Sequence, residues 1–426
     1  MKKLSSKFYL VGIKGTGMSS LGVILKDMGF EVVGSDKCSY FFTEDILNKN
    51  AIKFYEFNRE NITNDYYYII GNAYGYDNEE VKEIMDNNYE YMYYSDFIET
   101  YFNRKIGVSG THGKTTTTSI CSKFLEDYNI ITLIGNGEGK GCVNYNYFLF
   151  EACEYRNNFH KYSYDYLIIN NIDYDHVDFF EGIDDVIGSF QEASFNALNI
   201  IVNNDDNNCK KIGHINKITY GMSYDSDYVI SECKRYNDGY IVRIVSKRYD
   251  DLLKIPLYGM HNVYNVVSSY VLVRELKLNV DIQKKLYEYK LPKKRMEEYK
   301  INSNIIIDDY AHHPKEIRAL LEAVRQKYSN YDIIVVFQPH TYSRSLKLKD
   351  EFSNVFVGTE LFLANTYTSV REKTNMKLED EVRKIFKNAK EYNKSVIEYL
   401  KNVNNKVIIF LGAGTISNDI KLMKTT

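Results

Sequence analysis

The run Gly110-Thr111-His112-Gly113-Lys114-Thr115-Thr116 carries the residue types that phosphate chemistry needs. It follows an apolar run, Lys105–Ser109, and precedes Ile120, Cys121, Phe124 and Leu125, which recur at helical spacing. A glycine loop that enters a helix offers unpaired backbone N–H groups to an anion, and the helix dipole adds to their field. At this spacing Lys114 reaches the β- and γ-phosphates of a nucleotide, and the Thr115 hydroxyl binds Mg²⁺. One position breaks the strict G-x-x-x-x-G-K-[ST] pattern, where Val108 replaces the first Gly.

A second glycine loop, Gly12-Ile13-Lys14-Gly15-Thr16-Gly17, closes the apolar run Phe8–Ile13, and Asp36 ends the next such run, Glu31–Asp36. The spacing is G-x-x-G-x-G, a variant of the dinucleotide fingerprint, with the acid where a ribose partner belongs. It predicts a site for a nucleotide diphosphate and leaves NAD open. A dinucleotide-dependent oxidoreductase is therefore the reading from another class, but it would leave the Gly-Lys-Thr loop unexplained.

Four further polar loops follow apolar runs: Glu151-Ala152-Cys153-Glu154, Asn170–His176, Asp308–Pro314 and Gln338–Arg344. Carboxylates with an imidazole beside a phosphate loop suit Mg²⁺-assisted phosphoryl transfer, because the ion prefers hard oxygen ligands. The chain has only 8 His, and six of them (His112, His176, His261, His312, His313 and His340) lie in or beside these motifs. Such concentration of a scarce residue at strand ends points to a single site.

Those loops need strands to carry them. Apolar runs at Phe8–Ile13, Glu31–Asp36, Tyr67–Gly71, Lys105–Ser109, Tyr147–Glu151, Tyr166–Asn170, Asn304–Ile307, Ile333–Phe337 and Val407–Leu411 alternate with helical patterns, which predicts parallel α/β units. Ile317, Leu320, Leu321 and Val324 mark one amphipathic helix, with Pro314 at its first position and Glu316 in its first turn. In open α/β sheets ligands bind beyond the carboxyl ends of the strands, where the polar loops fall.

The chain has 426 residues, enough for two to four domains, with junctions expected near Tyr101–Lys105 and Leu291–Arg295. Its 54 Lys+Arg against 57 Asp+Glu give a net charge of −3, which argues against a nucleic-acid-binding stripe or a cationic membrane surface. Six cysteines without a C-x-x-C pair exclude a zinc spacing and a disulfide scaffold. Lys2, Lys3 and Lys7 precede an apolar run too short for a signal peptide, and no run is long enough to span a membrane. A reduced, cytoplasmic protein is expected. The 40 Tyr carry no functional signal.

Taken in order, Gly12–Ser19, Gly34-Ser35-Asp36, Gly110–Thr118, Phe150–Arg156, Asn171–Asp178, Gly259–Asn265, Asp308–Pro314, Phe337–Arg344 and Gly412-Ala413-Gly414 resemble the Mur ligase family over nearly the whole chain. The resemblance implies an α/β fold of three domains. Residues 1–102 would form a Rossmann-like UDP-sugar-binding domain and 103–291 a central P-loop ATP-binding domain with a parallel sheet. Residues 292–426 would form a Rossmann-like domain that binds an amino acid and closes on ATP. It also implies an ADP-forming amide-bond ligase that uses ATP and Mg²⁺, acts as a monomer or weak homodimer, and joins L-alanine to UDP-N-acetylmuramate through an acyl phosphate. A sister activity that adds a recycled tripeptide to the same sugar is the nearest alternative.

Roles follow from the resemblance residue by residue. Gly15, Thr16, Gly17, Met18, Ser19, Ser35 and Asp36 would hold the UDP-sugar. Gly110 to Thr116, with Lys114 central, would hold the ATP phosphates, and Thr115, Glu151 and His176 the metal. His261, Asn262 and Asn265 would bind adenine, Arg295 the phosphates and Asp309 the ribose. Tyr310, His312, His340 and Arg344 would surround the alanine. Lys14, Thr341 and Ser345 depart from commoner residues; Thr341 stands where many relatives carry Arg, which leaves Arg344 as the main partner for the amino-acid carboxylate.

Overall fold

The apolar runs of the first hundred residues form one parallel sheet. β1 (Lys7–Val11), β2 (Glu31–Asp36), β3 (Lys53–Glu56), β4 (Tyr67–Ile70) and β5 (Tyr91–Tyr93) lie in the order β3-β2-β1-β4-β5. The order reverses between β1 and β4, so the loop after β1 sits at a topological switch point. The computed structural model describes residues 6–236, 238–368 and 372–424; Lys2 and Lys3 lie outside them.

The second sheet has ten strands: β6 (Lys105–Ser109), β7 (Ile130–Leu133), β8 (Gly139–Lys140), β9 (Tyr147–Glu151), β10 (Tyr164–Ile169), β11 (Ala197–Asn203), β12 (Lys217–Gly221), β13 (Tyr228–Tyr236), β14 (Gly239–Ser246) and β15 (Asp250–Ile255). β6 pairs in parallel with β9 on one side and β10 on the other. The glycine loop after β6 is therefore flanked by Glu151 and by the Asn170–His176 loop. One stretch departs from the expected alternation of strand and helix: β13, β14 and β15 are consecutive antiparallel strands. Their inward residues, among them Tyr228, Ile230, Tyr240, Val242 and Ile244, share a core with the helix Met260–Glu275, which gives the period-2 pattern a face to bury.

The third sheet comprises β16 (Glu297–Ile301), β17 (Asn304–Asp309), β18 (Asp332–Phe337), β19 (Glu360–Leu363), β20 (Lys390–Glu391) and β21 (Lys406–Leu411), in the order β16-β17-β21-β18-β19-β20, with β16 antiparallel. Separate apolar clusters cover its two faces. The amphipathic helix expected after Pro314 runs Pro314–Lys327 and carries a capping box: the His313 ring accepts from Lys315 N, and Glu316 accepts from His313 N.

The cores of the first two sheets are continuous. Phe8, Phe97 and Phe102 join one buried cluster with Ile131, Phe148 and Phe150, and the Phe102 and Phe148 rings stack at 4.3 Å. The chain thus has an α/β fold of three dominantly parallel sheets. Among the described residues no helix is long and apolar enough to cross a membrane.

Candidate active site

The glycine loop is built on backbone that only glycine adopts readily. Gly113 caps the helix Lys114–Phe124 with φ 80°, and a Cβ there would lie 2.7 Å from Asn265 Oδ1. Asn171, at the end of β10, pins the loop from the other side, accepting from His112 N at 2.8 Å and donating to His112 O at 3.0 Å. The Lys114 ammonium donates to Gly110 O at 2.6 Å and to both oxygens of Glu154 at 3.0 and 2.9 Å. Burial alone would lower its pKa, but the Glu154 charge outweighs burial and holds it above the usual lysine range. Glu154 also lies 3.4 Å from His176 Nε2.

On the other side of Lys114, the Glu151 carboxylate accepts from Gly135 N at 2.5 Å and lies against the Thr115 hydroxyl. Burial raises its pKa, with Gly135 and Lys114 opposing. Thr115 and Glu151 form one pair and His176 and Glu154 another. Among the described residues no three His, Cys, Asp or Glu side chains converge on a ready-made metal cage. Mg²⁺ commonly takes one or two carboxylates and completes its shell with water and nucleotide oxygens. The Thr115–Glu151 oxygens fit such an ion, and the buried Nδ1 of His176 has no hydrogen-bond partner among the described residues.

A cavity of about 290 Å³ opens between the glycine loop and the third sheet. His112, Gly113 and Thr116 line it on one side; His261, Asn262, Asn265, Arg295 and Asp309, all expected from sequence at a nucleotide, line it elsewhere. Asp309 is buried, accepts from Met296 N at 2.7 Å and Ala311 N at 2.8 Å, and has its pKa raised by burial to about 6 against the opposing Arg295 charge. Burial, then the Arg295 charge, lowers His261 to about 4. His112 bridges the two sides of the cavity, with Nε2 3.5 Å from Asp173 and Nδ1 3.5 Å from Glu316. Burial would lower its pKa, but the two nearby carboxylates, Asp173 and Glu316, raise it to about 9. Lys315 pairs with Asp173, and Arg295 lies 3.7 Å from Glu316.

The four residues expected around an amino acid come together beside this interface. The His312 ring lies 5.6 Å from the Tyr310 ring and 5.4 Å from the His340 ring. Arg344 Nη1 lies 2.8 Å from His340 Nδ1, and its Nε donates to Asp175 at 2.8 Å. Thr341 has φ 66°, and its amide donates to Tyr367 O. Thr341 and Ser345 are buried in this turn.

The loop expected to hold the sugar nucleotide is less uniform. Gly12 has φ 83°, and Gly15 N donates to Gly12 O at 3.1 Å. The helix Thr16–Asp27 starts without a side-chain cap, which leaves its first amides open to an anion. Gly17 lies against Tyr94, whose hydroxyl would be 2.7 Å from a Cβ at that position. Asp36 is fixed by Lys14 N at 2.8 Å, Lys37 N at 2.8 Å and the Tyr74 hydroxyl at 3.0 Å. Other members of the expected set are turned inward. Met18 packs in the core, the Ser19 hydroxyl donates to Thr16 O, and the Ser35 hydroxyl donates to buried Glu80. Lys14 is buried too, its ammonium donating to Lys37 O at 2.7 Å and pairing with Glu44 at 2.8 Å.

Five residues in this arrangement have no individual role assigned from the sequence: Glu154, Asp173 and Asp175, which count there only among the carboxylates of their loops, and Lys315 and Glu316. All lie within the loops or the first helical turn singled out there, so proximity to those motifs was the available signal. The partners Lys114, Lys315, Arg344 and His112 lie 40 to 204 residues away and depend on which strands are neighbours.

Three family models match the chain in order: "Mur ligase family, catalytic domain" over residues 7–105, "Mur ligase middle domain" over 108–273, and "Mur ligase, glutamate ligase domain" over 294–414. The fold is similar to that of the UDP-N-acetylmuramate-alanine ligase MurC of Thermotoga maritima, at 24% identity and TM-score 0.79 over 98% of each chain. It is also similar to a murein peptide ligase of Psychrobacter arcticus, at 17% identity and TM-score 0.72 over 98% of each chain. A pseudomurein peptide ligase type C of Methanothermus fervidus follows at 18% identity and TM-score 0.65, over 98% of this chain and 99% of that one. With all three domain models in sequence along it, the chain belongs to the Mur ligase family and is an ATP-dependent, ADP-forming amide-bond ligase.

Proposed function

We propose that the chain joins L-alanine to the carboxylate of UDP-N-acetylmuramate in cytoplasmic peptidoglycan precursor synthesis. The observation that carries this reading is the adjacency of two groups of side chains. Arg344, whose Nη1 lies against His340, meets Asp175 and, through it, the His176–Glu154–Lys114 series. A carboxylate-binding guanidinium therefore sits one residue away from the groups that handle phosphate.

On this reading residues 1–102 take the UDP-sugar, 103–291 the ATP and 292–426 the amino acid. The amides after Gly15 receive the diphosphate, and the cavity between His261 and Arg295 receives adenosine. Lys114, aimed by Gly110 O and Glu154, steadies the γ-phosphate as a muramyl carboxylate oxygen attacks phosphorus and ADP leaves. Thr115 and Glu151, with His176 as a further ligand, would hold Mg²⁺, which when bound would offset charge on the β- and γ-phosphates. Arg344 holds the amino acid by its carboxylate, so that its amine nitrogen can attack the acyl phosphate carbon; the C–O bond to phosphate breaks and the amine loses a proton. Closing the third domain over this site excludes water, which would otherwise hydrolyse the acyl phosphate.

Phosphate release from ATP in the presence of UDP-N-acetylmuramate tests the reading, with L-alanine, glycine, L-serine or tripeptide added in turn. Turnover with L-alanine is expected. No turnover with any amino acid would sink the proposal, and turnover with tripeptide alone would select the recycling activity instead.

A further inference from the structure

Asp175 has no part in the reaction as set out above, yet it is 6% exposed and lies where two sheets meet. One of its oxygens, Oδ1, accepts from Arg344 Nε at 2.8 Å and from His176 N at 2.7 Å. Arg344 comes from the third sheet's side of the interface and is 3% exposed. With Nε on Asp175 and Nη1 on His340, its guanidinium has one edge, Nη2, without a hydrogen-bond partner among the described residues. A planar fork held at two corners has its third corner aimed. His176 has φ 51°, a left-handed conformation that a non-glycine side chain seldom adopts, and the same carboxylate oxygen holds its amide there.

We propose that Asp175 is the positioning residue of the amino-acid clamp: it fixes Arg344 so that the free edge of the guanidinium meets the substrate carboxylate, and it ties that clamp to His176. The inference rests on the assignment of Arg344 to the amino acid under the proposed function. A buried arginine that loses its partner keeps the cost of desolvation without the compensating charge, so it leaves its site. The clamp is then complete only when the second and third sheets are apposed. That arrangement keeps the amino acid out of an open site.

The test uses the full-length enzyme and compares Asp175→Asn, Asp175→Glu, Arg344→Ala and the Asp175→Asn/Arg344→Ala double variant. KM is measured for the amino acid, ATP and the UDP-sugar, with melting temperature as a check on folding. Asp175→Asn is expected to raise the amino-acid KM about tenfold or more while the KM values for ATP and UDP-sugar stay within about twofold. Asp175→Glu should recover part of that loss, and the double variant should be no worse in amino-acid KM than Arg344→Ala alone. An unchanged or lowered amino-acid KM in Asp175→Asn would overturn the inference; a lowered value would make Asp175 a competitor for Arg344. Equal rises in all three KM values would reduce it to a structural contact and overturn it too. An unaltered amino-acid KM in Arg344→Ala would instead remove the clamp assignment, and the inference with it.

Discussion

Lys114 and the buried Glu154 form an ion pair in which the ammonium lies 3.0 and 2.9 Å from the two carboxylate oxygens. The pair joins the first turn of the helix after β6 to the loop after β9; the two strands are neighbours in the sheet, but the paired residues are 40 apart in the chain. It sets the direction and the charge of the lysine that, on the proposed function, steadies the transferred phosphate.

Replacing Lys114 by Ala should reduce phosphate release at least a hundredfold, roughly the effect of removing one preorganised charge from a transition state. Binding of UDP-N-acetylmuramate, followed by calorimetric titration, should be nearly intact, because the sugar loop belongs to a different sheet. Loss of sugar binding in this variant would contradict the division of labour between the sheets.

Glu154→Gln removes the charge that keeps Lys114 protonated against burial. The lysine pKa should fall, so the alkaline limb of the kcat profile should move to lower pH, with kcat at neutral pH down roughly ten- to a hundredfold. A profile that loses height without moving would mean that Glu154 positions Lys114 but does not set its charge.

Gly113→Ala places a side chain at φ 80° and a Cβ 2.7 Å from Asn265 Oδ1. The backbone strain is about 1–2 kcal/mol, and Asn265 lines the cavity assigned to ATP. The expected result is a KM for ATP raised about tenfold with little change in that for the sugar, read from initial rates.

Stability should fall on both sides of neutrality. His112 has a folded pKa of about 9 against an ordinary 6.5, so its contribution is fully present below pH 6.5 and is lost as pH rises through 9. His261, His312 and His313 are held near 4, 4 and 3, chiefly by burial. The unfolded chain protonates these three first, so stability is lost as pH falls from 6.5 through 4. Melting temperatures from pH 4 to 10 check both limbs, and the gap between wild type and His112→Gln should shrink between pH 6.5 and 9. A gap that is constant over that range would remove His112 from the account.

Strand positions were readable because their apolar runs are short, continuous and bounded by polar loops. Glu31–Asp36, Lys105–Ser109 and Tyr147–Glu151 coincide with β2, β6 and β9. The hairpins of β13 to β15 were not, since their exposed faces carry Glu232, Lys234 and Arg243 and no helix signal separates them. In the site, residues whose type alone suits a ligand, such as Lys114 and Arg344, stood out. Glu154 and Asp175 did not, because each owes its place to strand neighbours or domain contact that spacing does not reveal. Ser35 shows the opposite failure: beside Asp36 it looks like part of a ligand loop, but the alternation of a strand turns its hydroxyl toward Glu80.

The apolar cluster that runs from Phe8 through Phe102 to Phe150 decides how this chain can be cut. Severing it near Phe102 would leave two fragments, each with half a core open to water, and neither is a natural unit for expression or transplantation. Severing it near Leu291 leaves the third sheet with both of its own clusters whole. Heat should therefore melt the first two sheets together and the third by itself, and recombination between relatives should succeed at the second junction and fail at the first.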